Sequence, residues 1–414
     1  MIYRDFNVQH GYVLQLLLLP FTSDKSLFFM KGLYVMVQMV DLFLVLKILK
    51  KTTNKLGFIL GGGLFIVLNY YLSDSNLWDE VIVTSVYLFI YYLLIRDSSR
   101  DTRKILFIGL LIGFVSFMKP SFVIMILPII LFYKSFTPAI SIVALWAVTF
   151  VYFAITNNVN GFMNSYIYYN IFYALGSRDT FEPLRMFSLQ GMSTDKLFTN
   201  STYFLLVLSI LLLIIYRKKY KSNPIILFVL FSFALVFPGY GKINLVPFGA
   251  FFSVLVGQLI GSIKKQYLLL YLFCLALYGV FMSRQAKHLY TYFKTNRLPY
   301  MENEKTAKII SKIKNYNLTG KKVYVLSNQV EIYYYLDKIP PVYHTVLWGN
   351  IIYYYPDIQQ RTISEIERNK VTFIIIPKPL DTNYSTFDNL IKYIDMSYKL
   401  IYENDDFKML KKNN

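Results

Sequence analysis

At 414 residues the chain has room for two or three ordinary soluble domains, but 55% of it is hydrophobic and only 16% is charged. Globular chains carry about a quarter charged residues, so long apolar runs fill the deficit, too many for one aqueous core to hide. The composition is that of an integral membrane protein. A formal net charge of +19 would point to nucleic acid in a soluble chain. In a membrane chain it asks instead which side holds the Lys and Arg, since cytoplasmic loops collect them, and no nucleic-acid partner is expected. The single Cys274 excludes an intrachain disulfide framework and a thiolate metal cluster. His10, His288 and His344 lack zinc-ligand spacing, and neither a cofactor nor a metal is indicated.

In chain order, residues 1–24 form a short arm containing GYVLQLLLLPF, too short to span and better suited to a helix lying in the membrane interface. A run of about twenty apolar residues crosses the hydrocarbon layer, and runs near fifteen do so when interfacial residues extend them. Candidate passes are 26–49, 56–72, 81–95, 105–118, 121–133, 138–156, 203–216, 224–237, 245–260 and 267–282, about ten in all. The loops beginning at Lys47, Arg96, Lys134, Arg217 and Lys264 are short and basic, hence cytoplasmic. The intervening loops are acidic, long or aromatic: SDSNLWDE from Ser73, residues 157–202, and PGYGKIN from Pro238. They face outward, which places both chain ends outside and makes this a multi-pass protein of the cell membrane.

The expected organisation is an outer-face arm over 1–24, a helical bundle over 25–283 and an extracytoplasmic domain over 284–414. From Met301 the charges return and apolar residues fall into short blocks. These read as helix ENEKTAKIISKIKNY, strand KVYVLS, a helix around VEIYYYLDK, helix IQQRTISEIERNK, strand VTFIIIP, helix FDNLIKYIDM, and a hairpin of YKLIY and FKML around ENDD. That alternation predicts a small α/β domain with a partly parallel sheet. The tyrosine runs 333–335 and 353–355 suit either a membrane-leaning surface or aromatic core filling.

No phosphate-binding GxxxxGK loop, HExxH or CxxC is present, and GGG at 61–63 lies inside an apolar run where small residues mean close helix packing. The informative residues are polar ones at the outward ends of spans. Asp5, in YRDFNVQHG before the interfacial helix, is placed to act as general base toward an acceptor hydroxyl; the alternative is a solvated acid in a tail. Asp79 and Glu80, in WDE, suit orienting an acceptor or binding a cation, or simply follow the topology. On a helix adjacent side chains point about 100° apart, so they do not neatly share one ligand. Lys119, in FMKPSF between two apolar runs, either snorkels or meets an anion such as a lipid phosphate. Lys242 in PGYGKIN and Arg178 in the long loop are weaker cases of the same kind. Asp41 and Lys47 lie toward the inner end of their span.

The run IYRDFNVQHGYVLQLLLLPF resembles the first outer loop of the GT-C membrane glycosyltransferases, specifically bacterial relatives of dolichyl-phosphate-mannose protein mannosyltransferase and lipid A aminoarabinose transferase. The span ending in MKP, the loop stretch NSYIYYNIFYALG, and VYVLSNQVEIYYYLDKIPPVYHT with its following helix and FIII strand resemble the same family. That family begins with a transmembrane helix delivering the YRDF loop outward. This sequence starts a few residues before Asp5, so the resemblance implies either a truncated start that lacks the first helix or a short tail that crosses unaided. GKINLVP also stands where the family often carries an aromatic or His-Tyr pair. The resemblance implies a GT-C-like polytopic α-helical membrane protein with a small C-terminal extracytoplasmic α/β domain. It further implies inverting transfer of a sugar from a polyprenyl-phosphate-linked donor to a glycan, lipid or protein acceptor beside membrane lipid. The implied roles are Asp5 as base, Lys119 and Lys242 at the donor phosphate, and Asp79, Glu80 and His10 as secondary contributors. A transporter or flippase, or a polymerase or ligase of lipid-linked saccharides, is the competing reading. The loop 157–202 has only Arg178 and Arg185 for the latter.

Overall fold

The computed structural model describes residues 28–73, 79–97, 99, 101–168, 223–235 and 242–262, and in the C-terminal region 310–313, 316, 318, 320–326, 332–333, 336, 338, 340–342, 357–378 and 387–413. The arm 1–24, the predicted passes 203–216 and 267–282, most of the loop 157–202, and the tyrosines 334, 335 and 353–355 lie outside the described residues. The described chain divides into two compact units, 28–160 with 223–262, and 161–168 with 310–413.

The first unit is helical. Its helices are α1 (Phe28–Thr52), α2 (Lys55–Ser73), α3 (Asp79–Arg96), α4 (Thr102–Ser116), α5 (Ile126–Tyr133), α6 (Thr137–Ile155), α7 (Ile225–Ala234) and α8 (Val246–Ile260). Two helical stretches among the described residues, Gly32–Thr52 and Thr137–Ile155, are long and apolar enough to cross a membrane. Shorter apolar helices cover Lys55–Tyr70, Pro120–Tyr133, Ile225–Ala234 and Val246–Ile260. Start and stop signals are local. Asp101 caps α4 by accepting from the Arg103 N–H at 3.0 Å, satisfying one of the orphan donors of the first turn. Lys134 closes α5 in the left-handed region at φ 51°.

Packing in this unit depends on small residues. Helix α8 lies against α2, and α4 lies against α6. A Cβ built on Gly57 would sit 2.2 Å from the Gly257 carbonyl oxygen, and one on Gly109 2.2 Å from that of Pro138. Backbone therefore meets backbone at both crossings, as close-packed membrane helices require. Where GGG predicts close packing, Gly61 indeed lies against Ser253 and Gly257. Tyr91, Phe228 and Phe251 fill the interior with edge-on ring contacts 5.2 and 5.9 Å from the tyrosine. At the end of the bundle rich in Lys and Arg, Gln258 donates to Thr52 Oγ1 at 3.1 Å and accepts from Asn223 at 2.8 Å, while Tyr91 donates to Asn223 Oδ1 at 2.8 Å. This network ties α1, α3, α8 and the start of α7 together.

The second unit carries a sheet in the order β1-β2-β4-β3. Its strands are β1 (Val323–Val325), β2 (Phe373–Pro377), β3 (Tyr398–Glu403) and β4 (Phe407–Lys412), with helices α9 (Ile358–Arg368) and α10 (Asp388–Ser397). Strands β1 and β2 are parallel, with Val323 opposite Phe373, and β4 pairs antiparallel with both β2 and β3. The small α/β domain and its mixed sheet are as the block pattern predicts. Alternate side chains point to opposite faces of a strand, and the two cores follow that rule. Tyr324, Ile374 and Leu410 pack under α9 and α10, whereas Val323, Val325, Phe373, Ile375 and Met409 pack against Ile313, Ile332 and Tyr333. Tyr333 is core filling, its hydroxyl oxygen accepting from the Val325 N–H at 2.7 Å.

Candidate functional site

The site is built by a proline and a helix start. Pro120 disfavours helical backbone in the residue before it, and Lys119 is accordingly extended, at φ −153° and ψ 128°. The chain thus breaks between α4 and the 3-10 turn Pro120–Met125, with the lysine at the break. Facing it, Asp79 and Glu80 open α3, where carboxylates complement the unsatisfied N–H groups and the positive end of the helix dipole. Thr84 donates to the Glu80 carbonyl at 2.6 Å, and Tyr87 donates to the Phe122 carbonyl at 2.7 Å, fixing α3 against the 3-10 turn.

The Lys119 ammonium lies 3.0 Å from Glu80 Oε1 and 3.1 Å from Asn244 Oδ1, and 5.8 Å from the Phe122 ring centroid. Three separate segments converge on one nitrogen. The Glu80 side chain is 4% exposed and that of Lys119 29%, so the pair is withdrawn from water on the acidic side and open on the basic side. Burying a carboxylate is tolerable because the ammonium compensates it; removing either partner strands a charge.

The sequence-predicted residues divide clearly. Lys119 and Glu80 are in direct contact, and Asp79 is buried beside Glu80 in the first turn of α3. Lys242 belongs to the 3-10 turn Lys242–Leu245 that supplies Asn244. Asp5, His10, Arg178 and Arg185 lie outside the described residues. The anion that Lys119 meets within the fold is a side-chain carboxylate. Asn244 is the residue sequence reasoning missed; its signal is a lone amide in an otherwise apolar run immediately before the Val246-Pro247 helix start. Among the described residues no three His, Cys, Asp or Glu side chains gather to hold a metal.

No protein-family model and no curated protein matches this sequence. In three dimensions the chain is similar to the crystal structure of ArnT from Cupriavidus metallidurans bound to undecaprenyl phosphate. The TM-score is 0.54 over 92% of this chain and 83% of that one, at 8% sequence identity. A likeness at that identity is one of fold: a mostly helical architecture like that of ArnT, with a small C-terminal mixed-sheet domain.

Proposed function

We propose that this protein is a GT-C-type membrane glycosyltransferase that moves a sugar from a polyprenyl-phosphate donor to an acceptor at the outer face of the cell membrane. The observation that carries this reading is the Lys119–Glu80–Asn244 cluster at one end of an ArnT-like apolar bundle. The solved ArnT holds undecaprenyl phosphate, and a fixed, partly exposed ammonium is what a phosphate head group at a membrane surface requires. Glu80 and Asn244 hold the ammonium in place before any donor arrives, so little side-chain freedom is lost on binding. Lys242, two residues from Asn244, is a second cation for the same phosphate.

In the reaction the acceptor oxygen attacks the anomeric carbon as the bond from that carbon to the phosphate oxygen breaks, through an oxocarbenium-like transition state with inversion. Phosphate departs as an anion without a general acid. The acceptor's proton goes to one base, for which Asp5 is the candidate. Asp79 and His10 are candidates for orienting the acceptor. With the Asp79 and Lys119 end outside, the basic loops are cytoplasmic and residues 284–414 extracytoplasmic.

The test is transfer from a labelled polyprenyl-phosphate sugar in vesicles holding the full chain. Asp5→Asn is expected to abolish transfer while membrane insertion stays intact, and Lys119→Ala to raise the apparent KM for the lipid donor. Wild-type activity in the first variant removes the base assignment, and an unchanged donor titration in the second removes the phosphate assignment.

A further inference from the structure

Helices α1, α2 and α3 enclose a second set of polar side chains. Tyr34, Gln38 and Asp41 recur at helical spacing along one face of α1. The Tyr34 hydroxyl is 2.8 Å from Ser73 Oγ; one turn further along, Asn69 Nδ2 donates to Gln38 Oε1; further still, Ser85 Oγ donates to Asp41 Oδ1. The sequence places Asp41 toward one end of its span, but in the structure it stands near the midpoint of the 25-residue α1, with 0% exposure. Among the described residues no Lys, Arg or His pairs with it. An ionised carboxylate at that depth is costly without a cation, and a neutral carboxyl is not. With Ser85 as the donor to Oδ1, the proton of a neutral Asp41 would fall to Oδ2.

Among the described residues, three buried atoms in this group find no partner: Asp41 Oδ2, Gln38 Nε2 and Asn69 Oδ1. Turning both amides over exchanges their roles and leaves Gln38 Oε1 and Asn69 Nδ2 instead. In either arrangement the set is one carboxyl O–H, one amide N–H and one amide oxygen. A water molecule complements it by accepting from the two donors and donating to the amide oxygen, the three bonds typical of a buried water. An alkali cation would face an amide N–H in both arrangements.

We propose that Gln38, Asp41, Asn69 and Ser85 form a hydrated site inside the bundle, in which one water molecule joins a protonated Asp41 to the Gln38–Asn69 amide pair. The site is independent of sugar transfer and makes no use of Lys119 or Glu80.

The experiment uses the full chain in lipid nanodiscs. Dicyclohexylcarbodiimide modifies protonated carboxyls within membranes and spares ionised ones, and mass spectrometry locates the adduct. Labelling at Asp41 is expected, equal with and without sodium chloride. Asp41→Asn keeps a donor toward the water and an acceptor for Ser85, so its Tm stays within about 2 °C of wild type, whereas Asp41→Leu lowers it by roughly 5 °C. No adduct at Asp41, protection by sodium, or an Asn variant as damaging as Leu overturns the protonated site. A structure at water-resolving resolution shows density touching Asp41 Oδ2 and both amides; side chains closed on one another with nothing between overturn the water.

Discussion

The helical unit and the C-terminal unit distribute polarity in opposite senses. In the C-terminal unit α9 buries Ile358, Ile363 and Ile366 and turns Arg361 and Ser364 outward. In the bundle, α6 exposes Ile140, Val143, Val148, Val151 and Ile155, and the polar side chains Ser116 and Trp146 meet inward, with the indole N–H donating at 2.8 Å. The same residue types fold both units, and what differs is the medium each face meets: water rewards an exposed charge, and hydrocarbon rewards an exposed methyl. Apolar burial between helices contributes little in lipid, so the bundle is specified instead by glycine contacts and interior hydrogen bonds.

The comparison is sharpened first by core truncation. Phe407 is 0% exposed in the second unit, and Phe407→Ala is expected to cost about 4 kcal/mol there, seen as proteolysis confined to residues after 300 while detergent Tm of the bundle holds. A matched pair of surface changes comes next. Val148 and Met396 are 67% and 72% exposed. Val148→Asp, at the middle of an apolar helix, is expected to cost about 3 kcal/mol and lower membrane insertion, while Met396→Asp changes stability by no more than about 0.5 kcal/mol. Equal tolerance at both positions would break the contrast between the two media.

These contrasts show what was legible in the sequence. Period-2 and period-3.6 blocks after Met301 identify β1, β2, α9, α10 and the β3–β4 hairpin, because each element's core face is written into its own short segment. Lys119 is legible as a lone cation beside a proline between apolar runs. Its contacts are not: Asn244 is 125 positions away, and only the fold brings it to the ammonium. The inner polar set was half visible, since Asp41 stands out in an apolar run and the spacing to Gln38 and Tyr34 marks one face. Asn69 and Ser85 carry no such mark, because a single amide or hydroxyl on an apolar helix is ambiguous until the neighbouring helix is known.

A smaller effect tests the bundle's reliance on interior hydrogen bonds. Gln258→Leu removes contacts to Thr52, Tyr91 and Asn223 and is expected to cost about 2 kcal/mol despite its greater hydrophobicity, measured as Tm in nanodiscs. The smallest lies on the water-facing unit. Hydrogen bonding from Lys378, with Lys408 at 3.6 Å, holds Glu403 below its ordinary value near 4.5. The stabilisation is present above that ordinary value and is lost as pH falls through the depressed one. Glu403→Gln is expected to flatten the acid limb of protease resistance in this unit below about pH 4.5, with no change near neutrality.

The glycine seam between α2 and α8 has a mechanical consequence. With Gly57 against the Gly257 carbonyl, and Thr53 Oγ1 donating to that same oxygen at 2.8 Å, backbone rests directly on backbone at this point of the seam, and sliding there would drive the two chains into each other. The helices behave as one girder. Rocking of the bundle swings the pair as a whole, and a lipid chain entering the protein has to part some other pair of helices.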